Sequence, residues 1–143
     1  MGTGDCLLCG IVSGKLPVDR IVESTHVIGF MNEIEALSRG HAVFFPKRHV
    51  SSLHQVEDAV LGEMLVLVKR VAVALGMPPY NVLVNTGSLA GQTVFHAHMH
   101  LIPKWSDEDG LRHAHISRRM SQSGVARLVR ERLETDGDGI ASP

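Results

Sequence analysis

The stretch that decides the fold is Gly91-Gln92-Thr93-Val94-Phe95-His96-Ala97-His98-Met99-His100-Leu101-Ile102-Pro103, where three histidines alternate with apolar residues. Side chains of a strand alternate between faces, whereas residues i and i+2 of a helix point about 200° apart. The alternation therefore predicts a strand over 94–102 with the three imidazoles on one face. A solvated edge strand is the plain alternative, and the glycine-rich approach and the closing proline argue against it. Clustered imidazoles serve metal binding or chemistry on phosphate and acyl groups.

The sequence around this stretch predicts an α+β domain with a mostly antiparallel sheet. The longest helix is predicted over Asp58–Gly76, where apolar residues recur every three or four positions until Met77-Pro78-Pro79 ends the pattern. A short helix is predicted within 6–14 and a second amphipathic helix over 121–134. Further strands are predicted at 20–23, 27–31, 41–45 and 80–85. One domain over 1–143 is expected, with its core at roughly 5–104 and a C-terminal helix and tail at 105–143.

Composition narrows the function classes. The chain has 143 residues, of which 44% are hydrophobic and 20% charged, with a formal net charge of −1. These values suit a folded domain and give no basis for nucleic-acid binding through phosphate neutralisation. No apolar stretch is long enough to span a bilayer, and the N-terminus lacks the pattern of a signal peptide. A cytoplasmic protein without nucleic-acid or membrane partners is expected.

Three more motifs carry chemistry. Cys6-Leu7-Leu8-Cys9 offers two thiols that suit a metal or a redox pair better than a structural disulfide. A redox pair is the weaker alternative, because a thioredoxin-type pair should follow a strand in a βαβ unit. Arg39-Gly40-His41 opens the strand 41–45, which Pro46-Lys47-Arg48-His49 closes. Asn85–Thr93 is a glycine-rich loop whose backbone N–H groups can approach a phosphate, although it lacks the Gly-Lys-Ser/Thr of a Walker loop.

In this order along the chain, the four motifs resemble the histidine triad (HIT) superfamily, whose signature is His-φ-His-φ-His-φ-φ with φ hydrophobic. The Cys-x-x-Cys start resembles its zinc-carrying bacterial, nucleoside phosphoramidase-like members. The resemblance covers roughly residues 5–104. It implies a HIT-like fold with a five-stranded, mostly antiparallel sheet in a subunit that pairs into a homodimer. It also implies a nucleotide hydrolase or transferase that acts at the α-phosphate of purine (AMP- or GMP-type) nucleotides.

The resemblance also assigns roles to residues. The middle histidine, His98, is the nucleophile that forms a covalent nucleotidyl intermediate, and His100 stabilises charge on a phosphate oxygen. Thr93 keeps a catalytic hydroxyl where many members carry serine. The residues implied to bind substrate are His41, Asn85, Gly91, Gln92, Thr93, His98 and His100.

Ribose recognition is implied for the segment before Gly40. Asn32 is the better candidate by chemistry, but it lies nine residues before His41. The usual spacing is eight residues, which points to Glu33. Both residues stay open as substrate-binding candidates.

The family's zinc-bearing members imply a metal site in this chain. Its ligands would be Cys6, Cys9, His49 and His96, a Cys₂His₂ set for one structural zinc per chain. A zinc-bound imidazole has no free lone pair, so His96 would be neither base nor nucleophile. No metal is then required for the chemistry itself.

Other functions compete with a phosphoramidase. One is a dinucleoside polyphosphate hydrolase, because the leaving group cannot be chosen from sequence. Another is a purine-nucleotide-binding regulatory module with weak or vestigial catalysis. A third is a zinc protein whose histidines only bind metal. The complete triad together with the Thr93 hydroxyl favours an enzyme.

Overall fold

Five strands form one antiparallel sheet in the computed structural model, which describes residues 3–112, 115 and 117–135. The strands are joined in the spatial order β1-β2-β3-β5-β4, and every neighbouring pair is antiparallel. Their bounds are β1 (Arg20–Glu23), β2 (Val27–Met31), β3 (Ala42–Pro46), β4 (Tyr80–Leu83) and β5 (Met99–Pro103). The prediction of an α+β fold with a mostly antiparallel sheet is confirmed.

Among the described residues, three α-helices and three single-turn 3₁₀ helices accompany the strands. The α-helices are α1 (Leu7–Val12), α2 (Asp58–Ala74) and α3 (Ser123–Thr135). The 3₁₀ turns are Thr3–Asp5, Leu53–Gln55 and Ser88–Ala90. Each predicted helix is therefore present, with ends that shift by only a few residues.

Helix α2 covers one face of the sheet. Its buried residues pack against β3 and β5 in a core cluster that contains Met64, Leu67, Val68, Ala72, Phe44, Met99 and Leu101. Leu65 is one of the regularly spaced apolar residues of the predicted helix, which form an apolar stripe, but it is 52% exposed because one further step of 100° beyond Met64 turns it away from the sheet. Met64 is fully buried, so its truncation to alanine should cost about 2–5 kcal/mol of stability.

Helix α1 lies on the opposite face. Leu8 and Ile11 are buried there in a second core cluster with Ile28, Phe30, Val43 and Phe45 of the sheet. Cys6 stands just before α1 and packs against this cluster. The short helix thus carries both cysteines to the face of the sheet on which the histidines lie.

The triad strand begins later than predicted. Residues 94–98 are not paired in the sheet, and β5 starts only at Met99. The N–H of Ala97 donates to the carbonyl of Val50 at 2.7 Å rather than to a neighbouring strand. The alternation nevertheless holds, because Ala97, Met99 and Leu101 lie in the core under α2 while the His96 ring packs edge-on against Phe45 on the other face.

The chain divides into two compact units, Met1–Arg112 and His113–Pro143. The first unit contains the whole sheet with α1 and α2, and the second contains α3. The predicted C-terminal tail, from Asp136 onward, follows α3 in the sequence and lies outside the described residues. A single domain over the whole chain therefore stays a prediction. Within the part of the chain that is described, no helix is both long and apolar enough to cross a membrane.

Candidate active site and metal centre

Four thiol and imidazole groups from three segments meet beside α1. Cys6 immediately precedes α1, Cys9 lies in its first turn, His49 follows β3, and His96 precedes β5. One ligand atom from each residue lies within 4.8 Å of all the others. These four residues, named here the Cys/His cluster, are the complete predicted set of zinc ligands.

The spacing within the Cys/His cluster fits a tetrahedral metal. Zn–S bonds of about 2.3 Å and Zn–N bonds of about 2.0–2.1 Å at tetrahedral angles place sulfur and nitrogen about 3.6 Å apart. Nδ1 of His96 lies 3.5 Å from Cys6 Sγ and 3.7 Å from Cys9 Sγ, and Nδ1 of His49 lies 3.3 Å from Cys9 Sγ. Two thiols and two imidazoles are also donors that zinc prefers. Both the geometry and the donor chemistry therefore suit one zinc ion.

A backbone carbonyl fixes the orientation and tautomer of His96. Its Nε2 lies 2.7 Å from the carbonyl oxygen of Pro46, which can only accept, so Nε2 carries the proton and Nδ1 faces the thiols with a free lone pair. Burial, with smaller effects of His49 and His98, lowers the pKa of His96 to about 4. His96 is therefore neutral near pH 7, as a metal ligand must be.

The Cys9 thiol favours its protonated form, which is not the form that binds a metal. Burial raises the pKa of Cys9, and the neighbouring Cys6 raises it further. A bound cation would reverse this preference, because coordination stabilises the thiolate.

His98 uses the opposite nitrogen for its backbone contact. Its Nδ1 lies 2.7 Å from the carbonyl oxygen of His96. Because that oxygen only accepts, the proton lies on Nδ1 and Nε2 retains an unshared pair. The His98 ring stands 4.9 Å from the ring of His100, measured between centroids. Nε2 of His98 thus has the electronic form that a nucleophile needs.

The tautomer of His100 is fixed through His41. The backbone N–H of Leu37 lies 3.1 Å from Nδ1 of His41 and can only donate, so the proton of His41 lies on Nε2. That Nε2 lies 2.9 Å from Nδ1 of His100 and donates to it. The proton of His100 therefore lies on Nε2, which makes this nitrogen a donor for an anionic oxygen.

Burial keeps these two rings neutral. His41 is 4% exposed, and its desolvation lowers its pKa. Burial also lowers the pKa of His100 to about 4, with smaller contributions from His98 and His41. We name His41, His98 and His100 the histidine cluster. The arrangement pairs the lone pair of His98 with the N–H of the neutral His100, which suits attack on phosphorus with stabilisation of an oxygen.

The glycine-rich loop is held by the side chain of Gln92. Gly87 and Gly91 frame a 3₁₀ turn with φ values of 88° and 91°, a region that favours glycine. Gln92 Oε1 accepts the N–H of Gly87 at 2.8 Å, and its Nε2 donates to the carbonyls of Ser51 at 2.7 Å and Val94 at 3.1 Å. This buried amide therefore stabilises the loop, and its predicted contact with phosphate stays a prediction.

Thr93 ends this loop beside a cavity of about 430 Å³. The Thr93 side chain is exposed, and Asn85 Nδ2 makes a long contact of 3.5 Å with the carbonyl of Gly91. The cavity is lined by Asp5, Cys6, Leu7, His49, Ser51, Thr93, Val94 and Phe95. It therefore adjoins both the Cys/His cluster and the end of the loop. Contact of Asn85, Gly91 and Thr93 with substrate stays a prediction.

The two ribose candidates follow β2. The N–H of Asn32 donates to the carbonyl of His41 at 2.9 Å, so this segment starts beside the histidine cluster. Asn32 Oδ1 accepts the N–H of Glu35 at 3.4 Å and Nδ2 donates to the carbonyl of Glu35 at 3.5 Å, both long contacts that a ligand could replace. Glu33 is exposed. Ribose contact by either residue stays a prediction.

Sequence reasoning missed the groups that set the tautomers. They are the carbonyls of Pro46 and His96 and the N–H of Leu37. Every residue but proline carries the same backbone groups, so no sequence signal marks these three. The contact between His41 and His100 joins residues 59 positions apart. It follows from the pairing of β3 with β5, in which Val43 lies opposite His100.

Comparisons with known proteins agree with this geometry. The family model described as HIT domain matches residues 13–107. The adenosine 5′-monophosphoramidase of Schizosaccharomyces pombe is 41% identical over 106 residues, which is 74% of this chain and 79% of that protein. The histidine triad nucleotide-binding protein of Candida albicans has a crystal structure that superposes with a TM-score of 0.80 at 29% identity, covering 92% of this chain and 96% of that one.

A further similar structure contains metal. The crystal structure of a Zn-bound histidine triad family protein from Mycobacterium smegmatis superposes with a TM-score of 0.68 at 29% identity. The alignment covers 94% of this chain and 99% of that one.

Proposed function

The chain belongs to the HIT family, and from this premise we propose that it is a hydrolase or transferase acting at the α-phosphate of purine nucleoside phosphoramidates or related nucleotide conjugates. The observation that carries the proposal is the set of tautomers in the histidine cluster. His98 exposes a lone pair on Nε2 while the adjacent His100 exposes an N–H on Nε2. One ring can attack phosphorus while the other stabilises the charge that develops on oxygen.

The first chemical step forms a nucleotidyl-His98 intermediate. Nε2 of His98 bonds to the α-phosphorus, the bond from phosphorus to the leaving nitrogen breaks, and that nitrogen leaves as an amine after gaining one proton. The attacking His98 ring becomes cationic while its Nδ1–H stays bonded to the carbonyl of His96, which stabilises the cation. We assign delivery of the proton to the Thr93 hydroxyl, which regains a proton from water; the hydroxide that remains is neutralised by the proton released in the second step.

The second step releases the nucleotide. Water attacks the same phosphorus, the bond between phosphorus and Nε2 breaks, and His98 returns to its neutral form with the products nucleoside monophosphate and a proton. An amine or alcohol in place of water would make the same intermediate a transferase intermediate. His100 serves both steps because its Nε2–H faces away from His41 in the neutral state that burial favours.

The substrate class follows from the chemistry and from the relatives. The adenosine 5′-monophosphoramidase of S. pombe supports a purine nucleotide with a P–N bond. The loop 85–93 would bind the phosphate, and Asn32 or Glu33 would contact the ribose hydroxyls. The cavity of about 430 Å³ beside Thr93 offers room for a leaving group larger than ammonia.

We assign one structural zinc to the Cys/His cluster, with Cys6, Cys9, His49 and His96 as ligands. The sulfur–nitrogen distances of 3.3–3.7 Å and the neutral His96 support this assignment. When bound, the metal would join the segment before α1 to the segment before β5. The chemistry above needs no step on the metal, because His98 supplies the nucleophile.

We also expect a cytoplasmic homodimer without nucleic-acid or membrane partners. Strand β4 is an edge strand whose Tyr80 and Val82 are 43% and 41% exposed, a surface that a second copy could cover. Sedimentation of the full chain with its metal would test the dimer: a monomer at micromolar concentration would exclude it.

A panel of substrates tests the proposed function against its competitors. Adenosine 5′-monophosphoramidate, a diadenosine polyphosphate and AMP would be offered to the zinc-loaded protein, and release of AMP from the first two would be followed. Turnover of the phosphoramidate well above that of the polyphosphate is expected. The reverse order would favour the polyphosphate hydrolase, and tight AMP binding without turnover of either compound would favour the regulatory module.

A further inference from the structure

The segment after β5 forms a closed turn with its own hydrogen bonds. Asp109 Oδ1 accepts the N–H groups of Trp105 at 3.0 Å and Ser106 at 2.9 Å, and Lys104 Nζ donates to the carbonyl of Asp109 at 2.6 Å. These N–H donors lower the pKa of the Asp109 carboxyl, so it is ionised near neutral pH. We name residues 104–110 the Trp105 turn.

The Trp105 turn is hydrogen-bonded to the loop that precedes His41. The indole Nε1–H of Trp105 donates to the carbonyl of Arg39 at 2.8 Å, and the N–H of Gly110 donates to the carbonyl of Leu37 at 2.9 Å. The Arg39 guanidinium also stands over the Trp105 ring, 5.9 Å from its centroid. Two carbonyls of the loop, on either side of Ser38, are therefore tied to the turn.

Leu37 connects the hydrogen bonds of the Trp105 turn to the histidine cluster. Its carbonyl accepts from Gly110, while its N–H donates to Nδ1 of His41 at 3.1 Å. His41 then donates through Nε2 to Nδ1 of His100. A continuous chain of hydrogen bonds therefore runs from the Trp105 turn to the nitrogen that would face the substrate.

We propose that Trp105 is a positioning residue: the turn it anchors keeps the N–H of Leu37 on Nδ1 of His41 and so keeps the proton of His100 on Nε2. If Leu37 moves away, Nδ1 of His41 is free to carry the proton. Nε2 of His41 can then only accept from His100, whose proton moves to Nδ1. Nε2 of His100 would then present a lone pair to an anionic oxygen, which repels it.

The inference depends on the proposed function only for its kinetic readout. Among the described residues, Trp105 has no hydrogen bond or ring contact with a histidine or with the loop 85–93, so its effect on His100 is expected to pass through Leu37 and His41. The tautomers can be read by nitrogen NMR of ¹⁵N-histidine protein, because protonated and unprotonated ring nitrogens differ strongly in chemical shift. Failure of the proposed function would leave this readout intact.

The test compares Trp105→Phe with Ser106→Ala in the full-length, zinc-loaded protein. Trp105→Phe removes the indole N–H and keeps a ring for Arg39, whereas Ser106→Ala changes the same turn without touching residues 37–39. In the wild type, His100 should show a protonated Nε2. Trp105→Phe should mix the two tautomers of His100 and lower kcat about 3- to 10-fold with a smaller change in KM, the effect of one hydrogen bond. Ser106→Ala should change neither.

Several results would overturn the proposal. One is a wild-type His100 protonated on Nδ1, which needs no variant and holds even if Trp105→Phe fails to fold. Another is a folded Trp105→Phe protein with wild-type histidine shifts. A third is an equal effect of Ser106→Ala, which would mean that any disturbance of the turn acts alike.

Discussion

The Cys/His cluster and the histidine cluster use the same side chain in opposite ways, although His96 and His98 are only two residues apart. His96 donates from Nε2 to the carbonyl of Pro46 and keeps Nδ1 free, while His98 donates from Nδ1 to the carbonyl of His96 and keeps Nε2 free. His96 is fully buried among thiols and His98 is half-buried beside His100. The comparison teaches that a backbone carbonyl, more than the triad pattern, decides what each imidazole can do.

The largest expected effect is the loss of turnover in His98→Ala, which should affect the function of the histidine cluster and leave the Cys/His cluster intact. His98→Ala removes the lone pair assigned to attack phosphorus, so turnover of adenosine 5′-monophosphoramidate should fall at least about 10⁴-fold. Zinc content and AMP binding should change little, because they depend on the Cys/His cluster and on the loop 85–93. Steady-state kinetics and calorimetry check this, with the exposed His54→Ala as the matched histidine control. Near-wild-type turnover, with contamination excluded, would contradict the mechanism.

A smaller loss is expected at the donor of the same cluster. His100→Ala removes one N–H that stabilises charge on a phosphate oxygen but leaves the nucleophile, so kcat should fall about 10²–10³-fold. Substrate binding should weaken less than kcat falls. A loss as large as that of His98→Ala would show that His100 acts in more than charge stabilisation.

The Cys/His cluster should respond in stability rather than in rate. Elemental analysis of protein purified without added metal should find about one zinc per chain, as a Cys₂His₂ site implies. Cys9→Ala should remove this zinc and lower the midpoint of thermal unfolding, while kcat of the folded fraction should fall less than about 10-fold. Metal-free protein that is equally stable with and without a chelator would argue against a structural zinc.

The ribose contacts offer a finer test outside both clusters. Loss of one hydrogen bond to a charged or amide group should weaken binding about 10-fold, so a 2′,3′-dideoxy nucleotide should bind about 10-fold more weakly than AMP. Asn32→Ala and Glu33→Ala should tell the two candidates apart, since only the true partner loses this discrimination. Equal binding of both nucleotides by the wild type would remove both assignments.

The smallest expected effect is on stability at acidic pH. Burial holds the pKa of His100 at about 4, below its ordinary 6.5, so between these values the unfolded chain binds more protons and stability falls as the pH falls. The midpoint of thermal unfolding of the wild type should therefore decrease as the pH falls from 6.5 to 5. In His100→Asn this decrease should be about 3–5 °C smaller than in the wild type. Because both proteins keep the Cys/His cluster, acid loss of zinc affects them equally. Parallel curves would show that His100 does not contribute.

Much of the fold could be predicted from periodicity alone. The stripe in α2 and the alternation at Ala97, Met99 and Leu101 report burial directly, and both appear in the core, except that Leu65 of the stripe is exposed. The start of β5 could not be predicted, because His96 and Ala97 are drawn out of the sheet by contacts with Pro46 and Val50. Those contacts join distant segments and leave no local pattern.

The candidate site was only partly visible in the sequence. The family resemblance predicted the residues of both clusters, and the structure brings Cys6, Cys9, His49 and His96 within ligand distance. It could not predict which nitrogen of each ring is free, because this depends on backbone groups such as the Leu37 N–H. The resemblance also could not show that the Gln92 side-chain amide donates its hydrogen bonds to the carbonyls of Ser51 and Val94.

The central claim is that His98 carries the nucleotide between the two steps. Zinc-loaded protein would be mixed with adenosine 5′-monophosphoramidate, quenched in alkali within milliseconds to seconds, and measured intact and after digestion by mass spectrometry. A transient gain of one adenylyl group is expected, confined to the peptide that contains His98 and missing from His98→Ala. An adduct on another residue, or steady turnover in which no adduct forms at any quench time, would contradict the account.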